Sequence, residues 1–212
     1  MKLKLAGLYA VTPEEPRTDI LVGKVGQALE GGASVVQFRN KTSSPELRRE
    51  QGRALAALCR AAGAAFIVND DLALALELGA DGVHLGGEDG DLAEARRRLG
   101  QGRLLGASCY NRIELAEVAA RAGVDYLAFG SVFSSSTKPG AVRAPLSLFA
   151  EARRRFDLPL VAIGGITLQN APQVFAAGAD VVAVISAVFD ASDIAASAAS
   201  FTRLHQSQRM QQ

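Results

Sequence analysis

The sequence predicts a closed (β/α)8 barrel, the TIM-barrel fold, as one domain spanning residues 1–212. Three observations carry this reading. A helix–glycine–strand pattern recurs along the chain, short β-branched strands alternate with helical segments throughout, and polar residues gather just beyond the strands. The recurring pattern stands at Leu29-Glu30-Gly31-Gly32-Ala33-Ser34-Val35-Val36 and at Leu78-Gly79-Ala80-Asp81-Gly82-Val83. It returns at Ala122-Gly123-Val124-Asp125-Tyr126-Leu127 and at Ala177-Gly178-Ala179-Asp180-Val181-Val182. A glycine just past a helix supplies the left-handed cap that other residues resist. The apolar run after it reads as a parallel strand buried on both faces. The copies lie about 50 residues apart, two βα units each.

The expected strands are Gly7–Thr12, Ser34–Arg39, Ala65–Val68, Gly82–Leu85, Leu104–Ser108, Tyr126–Phe129, Leu160–Ile163 and Val181–Ile185. Helices such as Pro45–Ala62, Ile113–Ala122 and Leu146–Phe156 fill the gaps, and that alternation implies a parallel sheet. Eight units of about 26 residues close into a barrel. A doubly wound open sheet is the alternative. It commonly carries a nucleotide fingerprint, and here no G-x-G-x-x-G follows the first strand and no P-loop occurs. No linker divides the chain, and the polar tail from about Arg203, clearest from His205 to Gln212, is expected to fray.

Composition narrows the function classes. Lys plus Arg total 23 against 22 Asp plus Glu, a net charge of +1, so nothing points to nucleic acid or an anionic membrane. Aromatics are 6% with no Trp, which argues against stacking on single strands. The apolar runs are too short to span a bilayer, and no targeting segment is visible. Cys59 and Cys109 cannot form a disulfide framework and read as reduced thiols of a cytoplasmic protein. The triple-arginine runs 96–98 and 153–155 read as solvated helix faces. A homo-oligomer is left open.

In such a barrel, chemistry collects at the C-terminal ends of the strands. The second strand ends Gln37-Phe38-Arg39-Asn40-Lys41. Gln37, Arg39 and Lys41 alternate and share one face, while Val36 and Phe38 face the helices. An amide, a guanidinium and an ammonium aimed into one mouth suit a diphosphate, with a carboxylate-paired plug as the competing reading. The third strand leads into Asn69-Asp70-Asp71, and the fourth, which contains His84, into Gly86-Gly87-Glu88-Asp89. Carboxylates at neighbouring strand ends can share Mg2+, whereas Asp70 or Asp71 alone also reads as a helix cap. His84, inside its strand, reads as structural. Ser108 ends the fifth strand and offers a hydrogen bond to a substrate or a turn. No His–acid pair accompanies it, so it is not a triad nucleophile. The sixth strand feeds Ser134-Ser135-Ser136-Thr137-Lys138-Pro139-Gly140, an anion-receptive loop whose composition also suits plain solvent exposure. Gly164-Gly165 after the seventh strand and Ser186 after the eighth suggest the phosphate site common in this fold, or tight packing by small residues.

Taken in order, these motifs resemble the thiamine phosphate synthase family. The similarity runs from Gly7 to about Phe189, through Gln37–Lys41, Asn69–Asp71, Asp81–Gly86 with Glu88-Asp89, Ser134–Gly140, Ala162–Ile166 and Val184–Ala187. The resemblance implies a transferase. It condenses an aminopyrimidine methyl diphosphate with a thiazole ethyl phosphate, giving thiamine phosphate and diphosphate. It also implies that Gln37, Arg39, Lys41 and Asn69 hold the pyrimidine diphosphate, with Ser108 and Lys138 around the pyrimidine and diphosphate. Of these, Arg39, Lys41, Ser108 and Lys138 are the candidate catalytic residues. Asp70 and Asp89 match Mg2+ ligands, and Ser135, Thr137, Gly165, Ile185 and Ser186 match the thiazole phosphate site.

The chemistry is compatible with a mouth poor in histidine. Diphosphate leaves readily once cations neutralise it, and the attacking thiazole nitrogen has no proton to lose. Catalysis then reduces to positioning and charge stabilisation. Three positions depart from the family pattern: Gly87 replaces a frequent glutamine, Ser135 a frequent threonine, and Cys109-Tyr110 a threonine–histidine pair. Tyr110 weighs against the related TenI thiazole tautomerases, which use a histidine in that region. A non-catalytic sensor of thiazole or thiamine phosphate is a further alternative, and the Asp70/Asp89 pair argues against it.

Overall fold

Among the described residues the chain forms eight strands: β1 (Gly7–Val11), β2 (Val35–Phe38), β3 (Ala65–Asn69), β4 (Gly82–Leu85), β5 (Leu104–Tyr110), β6 (Tyr126–Phe129), β7 (Leu160–Ile163) and β8 (Val181–Val184). All pair in parallel in sequence order, and β1 pairs with β8, so the sheet closes as the sequence predicts. The structure, a computed structural model, describes residues 5, 7–87, 90–134, 140 and 142–209. The helices between strands are α1 (Thr18–Glu30), α2 (Pro45–Ala62), α3 (Leu72–Glu77), α4 (Leu92–Leu99), α5 (Ile113–Arg121), α6 (Ser147–Arg155) and α7 (Ala171–Ala176). After β8 come the single turn α8 (Ser186–Phe189) and α9 (Ile194–Arg209). The stretch expected to fray from His205 is therefore helical through Arg209, and the His205 ring packs on Phe175.

The strand periodicity sorts side chains into two layers. Val36, Phe38, Phe66 and Val68 face outward into the layer shared with the helices. Tyr9, Val11, Val35, Ile67 and Tyr126 fill the barrel interior. Some strand ends differ from the predicted ones. β2 stops before Arg39 because the Arg39 N–H donates to Thr12 Oγ1, at 2.9 Å, instead of to a ladder carbonyl. β5 runs past Ser108 because a register shift between Ser108 and Tyr110 lets Tyr110 keep its pairing with Phe129.

The recurring Gly-x-Asp motif acquires a physical reason at the N-terminal end of the barrel. The Asp81, Asp125 and Asp180 carboxylates accept the N–H groups of Phe66, Leu105 and Leu160 at 2.8, 2.8 and 2.7 Å. The N–H groups of the same three aspartates donate to the carbonyls of those residues. Each motif thus stitches the start of one strand to the start of an adjoining unit. In the first copy Ser34 does this with its N–H and hydroxyl, both on the Leu8 carbonyl.

The arginine runs are a correction. Arg96 is buried: it pairs with Asp125 and donates to the carbonyls of Gly123, Gly100 and Arg103. Arg153 repeats the arrangement with Asp180 and the carbonyls of Leu158 and Gly178. Only the later members of each run behave as surface residues, Arg97 with Glu94 and Arg155 with Glu117 and Glu151. In the second copy the Cys59 thiol neighbours Asp81, and burial together with that charge pushes it up to about 12. Cys109 is likewise buried and free.

Asp125→Ala removes the Leu105 N–H acceptor and leaves Arg96 buried without its counter-ion. We expect a loss of about 3 kcal/mol in urea denaturation, against less than about 0.5 kcal/mol for Arg97→Ala. Equal effects of the two would mean that the Arg96–Asp125 pair is not structural.

Candidate active site

The C-terminal ends of β1 to β5 assemble one polar mouth. From β2, Gln37 points into the barrel, where its Nε2 donates to Tyr9 Oη at 2.8 Å. Arg39 and Lys41 lie above it, on the face the alternation predicts. Each cation has a carboxylate partner: Arg39 Nη1 sits 3.1 Å from Glu14 Oε1, and Lys41 Nζ 2.7 Å from Asp70 Oδ2. Glu14, on the loop after β1, was not singled out from the sequence. It also accepts the Lys41 N–H and the Thr42 hydroxyl, so one carboxylate holds the β2–α2 loop in place. Its only sequence signal is an acid shortly after the first strand. Gln51 on α2 braces the same region, accepting from Asn40 Nδ2 and donating to the Glu15 carbonyl.

The Asp70-Asp71 pair divides into two roles. Asp71 caps α3, accepting the Leu74 N–H at 2.8 Å, and pairs with Arg48 at 2.6 Å. Asp70 takes a left-handed backbone (φ 63°), which aspartate tolerates better than most residues. Its carboxylate meets Lys41 at the mouth, while its N–H donates to the His84 carbonyl. Asn69 ends β3 beside it, in register with His84. Asp71 is therefore a cap, and Asp70 presents its carboxylate at the mouth. Asp89, the predicted second ligand, lies outside the described residues, as does Glu88.

His84 does more than fill the strand. It is buried, with Nε2 2.9 Å from Ser108 Oγ and Nδ1 3.1 Å from Tyr126 Oη, and its ring stacks on Tyr126. Ser108 is thus held within the sheet and is not a cap. Gly106 makes this packing possible: a Cβ there would lie 2.0 Å from Tyr126 Cζ. Tyr9 and Tyr126, which join Gln37 to His84, were missed because an isolated tyrosine in an apolar strand reads as core. Burial raises both phenol pKa values above their ordinary range. It pushes the His84 imidazole down to about 4, against the opposing pull of the Asp70 carboxylate.

Across the mouth, Gly164 and Gly165 turn the chain after β7 with φ 101° and 63°. Their Cα atoms press on the segment after β6: a Cβ on Gly165 would lie 2.2 Å from the Ser134 carbonyl oxygen. Asn170 fixes the turn by donating to the Gly165 carbonyl. Ile185 stands at the N-cap of α8 and Ser186 in its first position, at the same end of the barrel. Close packing is therefore real here. Ser135, Thr137 and Lys138 lie outside the described residues.

Comparison with known proteins agrees with this geometry. Residues 8–188 match the family described as thiamine monophosphate synthase. The chain belongs to that family. It is 57% identical to the thiamine-phosphate synthase of Aromatoleum aromaticum, over 95% of this chain and 97% of that one. It is 55% identical to that of Thioalkalivibrio sulfidiphilus, over 90% of each. Among solved structures it resembles thiamine phosphate pyrophosphorylase from Pyrococcus furiosus, with TM-score 0.85, 35% identity and 96% of both chains covered.

Gly87 and Tyr110, two of the positions singled out in the sequence, touch. The Gly87 N–H donates to Tyr110 Oη at 3.2 Å, and Tyr110 itself is left-handed (φ 53°) and 44% exposed. The phenol thus straps the turn after β4 to the end of β5.

His84 also makes stability depend on pH. Its folded pKa of about 4 lies below the unfolded value of 6.5. Its contribution is therefore complete above about pH 6.5 and is lost as pH falls towards 4, by up to about 3 kcal/mol. Urea denaturation between about pH 7 and 4.5 should show a steeper loss for the wild type than for His84→Gln. Parallel curves would place the acid sensitivity elsewhere.

Proposed function

We propose that the chain is a transferase that joins an aminopyrimidine methyl diphosphate to a thiazole ethyl phosphate, releasing diphosphate and thiamine phosphate. The observation that carries this is the convergence of Arg39, Lys41, Asp70 and the His84-held Ser108 at one barrel mouth. Family membership supplies the substrate class.

In this reading Arg39 and Lys41 receive the diphosphate. Lys41 and Arg39 each have one carboxylate partner among the described residues, which a bound diphosphate would replace. Asn69 and Lys138 hold the same group, and Gln37 and Ser108 hold the pyrimidine ring. The carbon–oxygen bond to diphosphate breaks with its electron pair leaving on oxygen, and the aminopyrimidine ring delocalises the positive charge left on the methylene carbon. The thiazole nitrogen then bonds that carbon with its lone pair. No proton is transferred, so a neutral, buried His84 is no handicap. Ser135, Thr137, Gly165, Ile185 and Ser186 hold the thiazole phosphate. The packed turn at Gly165 sets the distance between the two substrates.

Asp70 fits a Mg2+ site: a hard oxygen donor at the mouth, beside the cations that take the diphosphate. Asp89 is the proposed second ligand. Mg2+ bound there supplies charge neutralisation for the leaving diphosphate. Lys41 and Asp70 neutralise each other in this structure, and a diphosphate with its cation satisfies both separately. We place the enzyme in the cytoplasm, on its two buried free thiols. No helix of the described residues is long and apolar enough to cross a membrane.

Diphosphate release should need both substrates and Mg2+, stop with EDTA, and yield one thiamine phosphate per diphosphate. Metal-independent release, or none from folded protein, would sink the reading. Asp70→Ala and Asp89→Ala should each lower Mg2+-dependent turnover by more than about a hundredfold and leave thiazole phosphate affinity within about twofold. Asp71→Ala should instead cost about 1 kcal/mol of stability, through loss of the cap and the Arg48 pair, with little effect on turnover. Unchanged turnover in Asp70→Ala or Asp89→Ala would overturn the metal assignment. Gly165→Ala, strained at positive φ and clashing with Ser134, should raise the KM for the thiazole phosphate at least about tenfold.

A further inference from the structure

Five side chains form one hydrogen-bonded row across the barrel. Gln37 Nε2 lies 2.8 Å from Tyr9 Oη, which lies 2.9 Å from Tyr126 Oη. Tyr126 Oη lies 3.1 Å from His84 Nδ1, and His84 Nε2 lies 2.9 Å from Ser108 Oγ. The row starts on β2, passes through β1, β6 and β4, and ends on β5. Tyr9, Tyr126 and His84, its middle members, are all buried.

Each middle member has one proton to give: a phenol has one O–H, and a neutral imidazole one N–H. A reversal anywhere along the row would put two protons, or none, between neighbouring heteroatoms. A buried donor would then have no acceptor. The protons must therefore all point the same way, and the two ends cannot be set independently.

The Gln37 amide sets the direction. Its Nε2 faces Tyr9, so Tyr9 donates to Tyr126, Tyr126 to His84 Nδ1, and His84 Nε2–H to Ser108 Oγ. Ser108 already accepts, so its own proton is left to donate. Gln37 has spent an N–H, so its Oε1 is left to accept. In the opposite direction Ser108 would spend its proton on His84 Nε2 and be left only to accept from the ring, and Oε1 would have to face Tyr9.

We propose that Tyr9, Tyr126 and His84 are positioning residues, a one-way relay that holds Gln37 as an acceptor and Ser108 as a donor. The mouth thereby selects an aminopyrimidine, with an amine to donate and ring nitrogens to accept, over an oxo analogue with the reverse pattern. This deepens the reading given under Proposed function and rests on it for the identity of the ring. The relay moves no proton during turnover; it orients the groups that touch the ring. Gly106 belongs to the same device, since any side chain there would displace the Tyr126 ring that joins the two halves.

The chain has two histidines, His84 and His205, so long-range 1H–15N NMR of the full-length protein can read the His84 tautomer, with His84→Gln as the assignment control. The relay requires the Nε2–H tautomer in the wild type. Tyr9→Phe should keep it, because Tyr126 still donates to Nδ1. Tyr126→Phe removes that donor, which loosens the preference and should admit some Nδ1–H tautomer beside Nε2–H. In turnover, Tyr126→Phe should raise the KM for the aminopyrimidine diphosphate about tenfold and leave that for the thiazole phosphate within about twofold. Tyr9→Phe should raise the first by a smaller factor. An Nδ1–H tautomer in the wild type would overturn the direction of the relay. Equal rises in both KM values would reduce these residues to core packing. Wild-type protein that turns over neither substrate would sink the functional reading alone, since the tautomer measurement needs no substrate and would still decide the relay.

Discussion

Everything in this molecule depends on the pairing of β1 with β8, which matches Gly7 to Val181 and Ala10 to Val184. Most of the strands are only four or five residues long. Strands that short cannot stand as an open sheet with two bare edges, and closure removes both edges at once. It also brings the C-terminal ends of all eight strands to a single rim. The polar residues at the ends of β2, β3 and β5, far apart in the chain, meet only because the ring closes.

Closure creates an interior that must then be filled. Below the mouth, Val35, Ile67, Val161 and Val181 fill it with apolar side chains. Nearer the mouth, two tyrosines, a glutamine and a histidine fill it instead. Such groups are tolerated in a dry interior only when their hydrogen bonds are made. Among the described residues no buried side-chain nitrogen or oxygen is left without a partner. The space for the Tyr126 ring comes from the missing side chain of Gly106, its register partner on β5. One strand's smallest residue thus accommodates its neighbour's largest.

The two rims of the barrel use charge differently. At the N-terminal rim, Arg96 and Arg153 are locked among backbone carbonyls and a carboxylate each, and have no freedom to serve a ligand. At the C-terminal rim, Arg39 and Lys41 each have, among the described residues, a single carboxylate partner and no side-chain bond to a backbone carbonyl. A guanidinium is structural or functional here according to how many of its donors the protein already occupies.

The sequence alone determined the barrel and the identity of the rim. Glycine caps followed by short β-branched runs report local backbone demands, and local demands are written in consecutive residues. Alternation on β2 likewise placed Gln37, Arg39 and Lys41 on one face, because a strand repeats every two residues. What only the tertiary structure decided are the pairings between distant elements: Glu14 with Arg39, Asp70 rather than Asp71 at the mouth, Arg96 inward and Arg97 outward, and Tyr9 with Tyr126 across 117 residues of chain. None of these follows from a local pattern. Each depends on which side chain meets another once the strands have closed, and on the burial that makes an unpaired polar group too costly to leave.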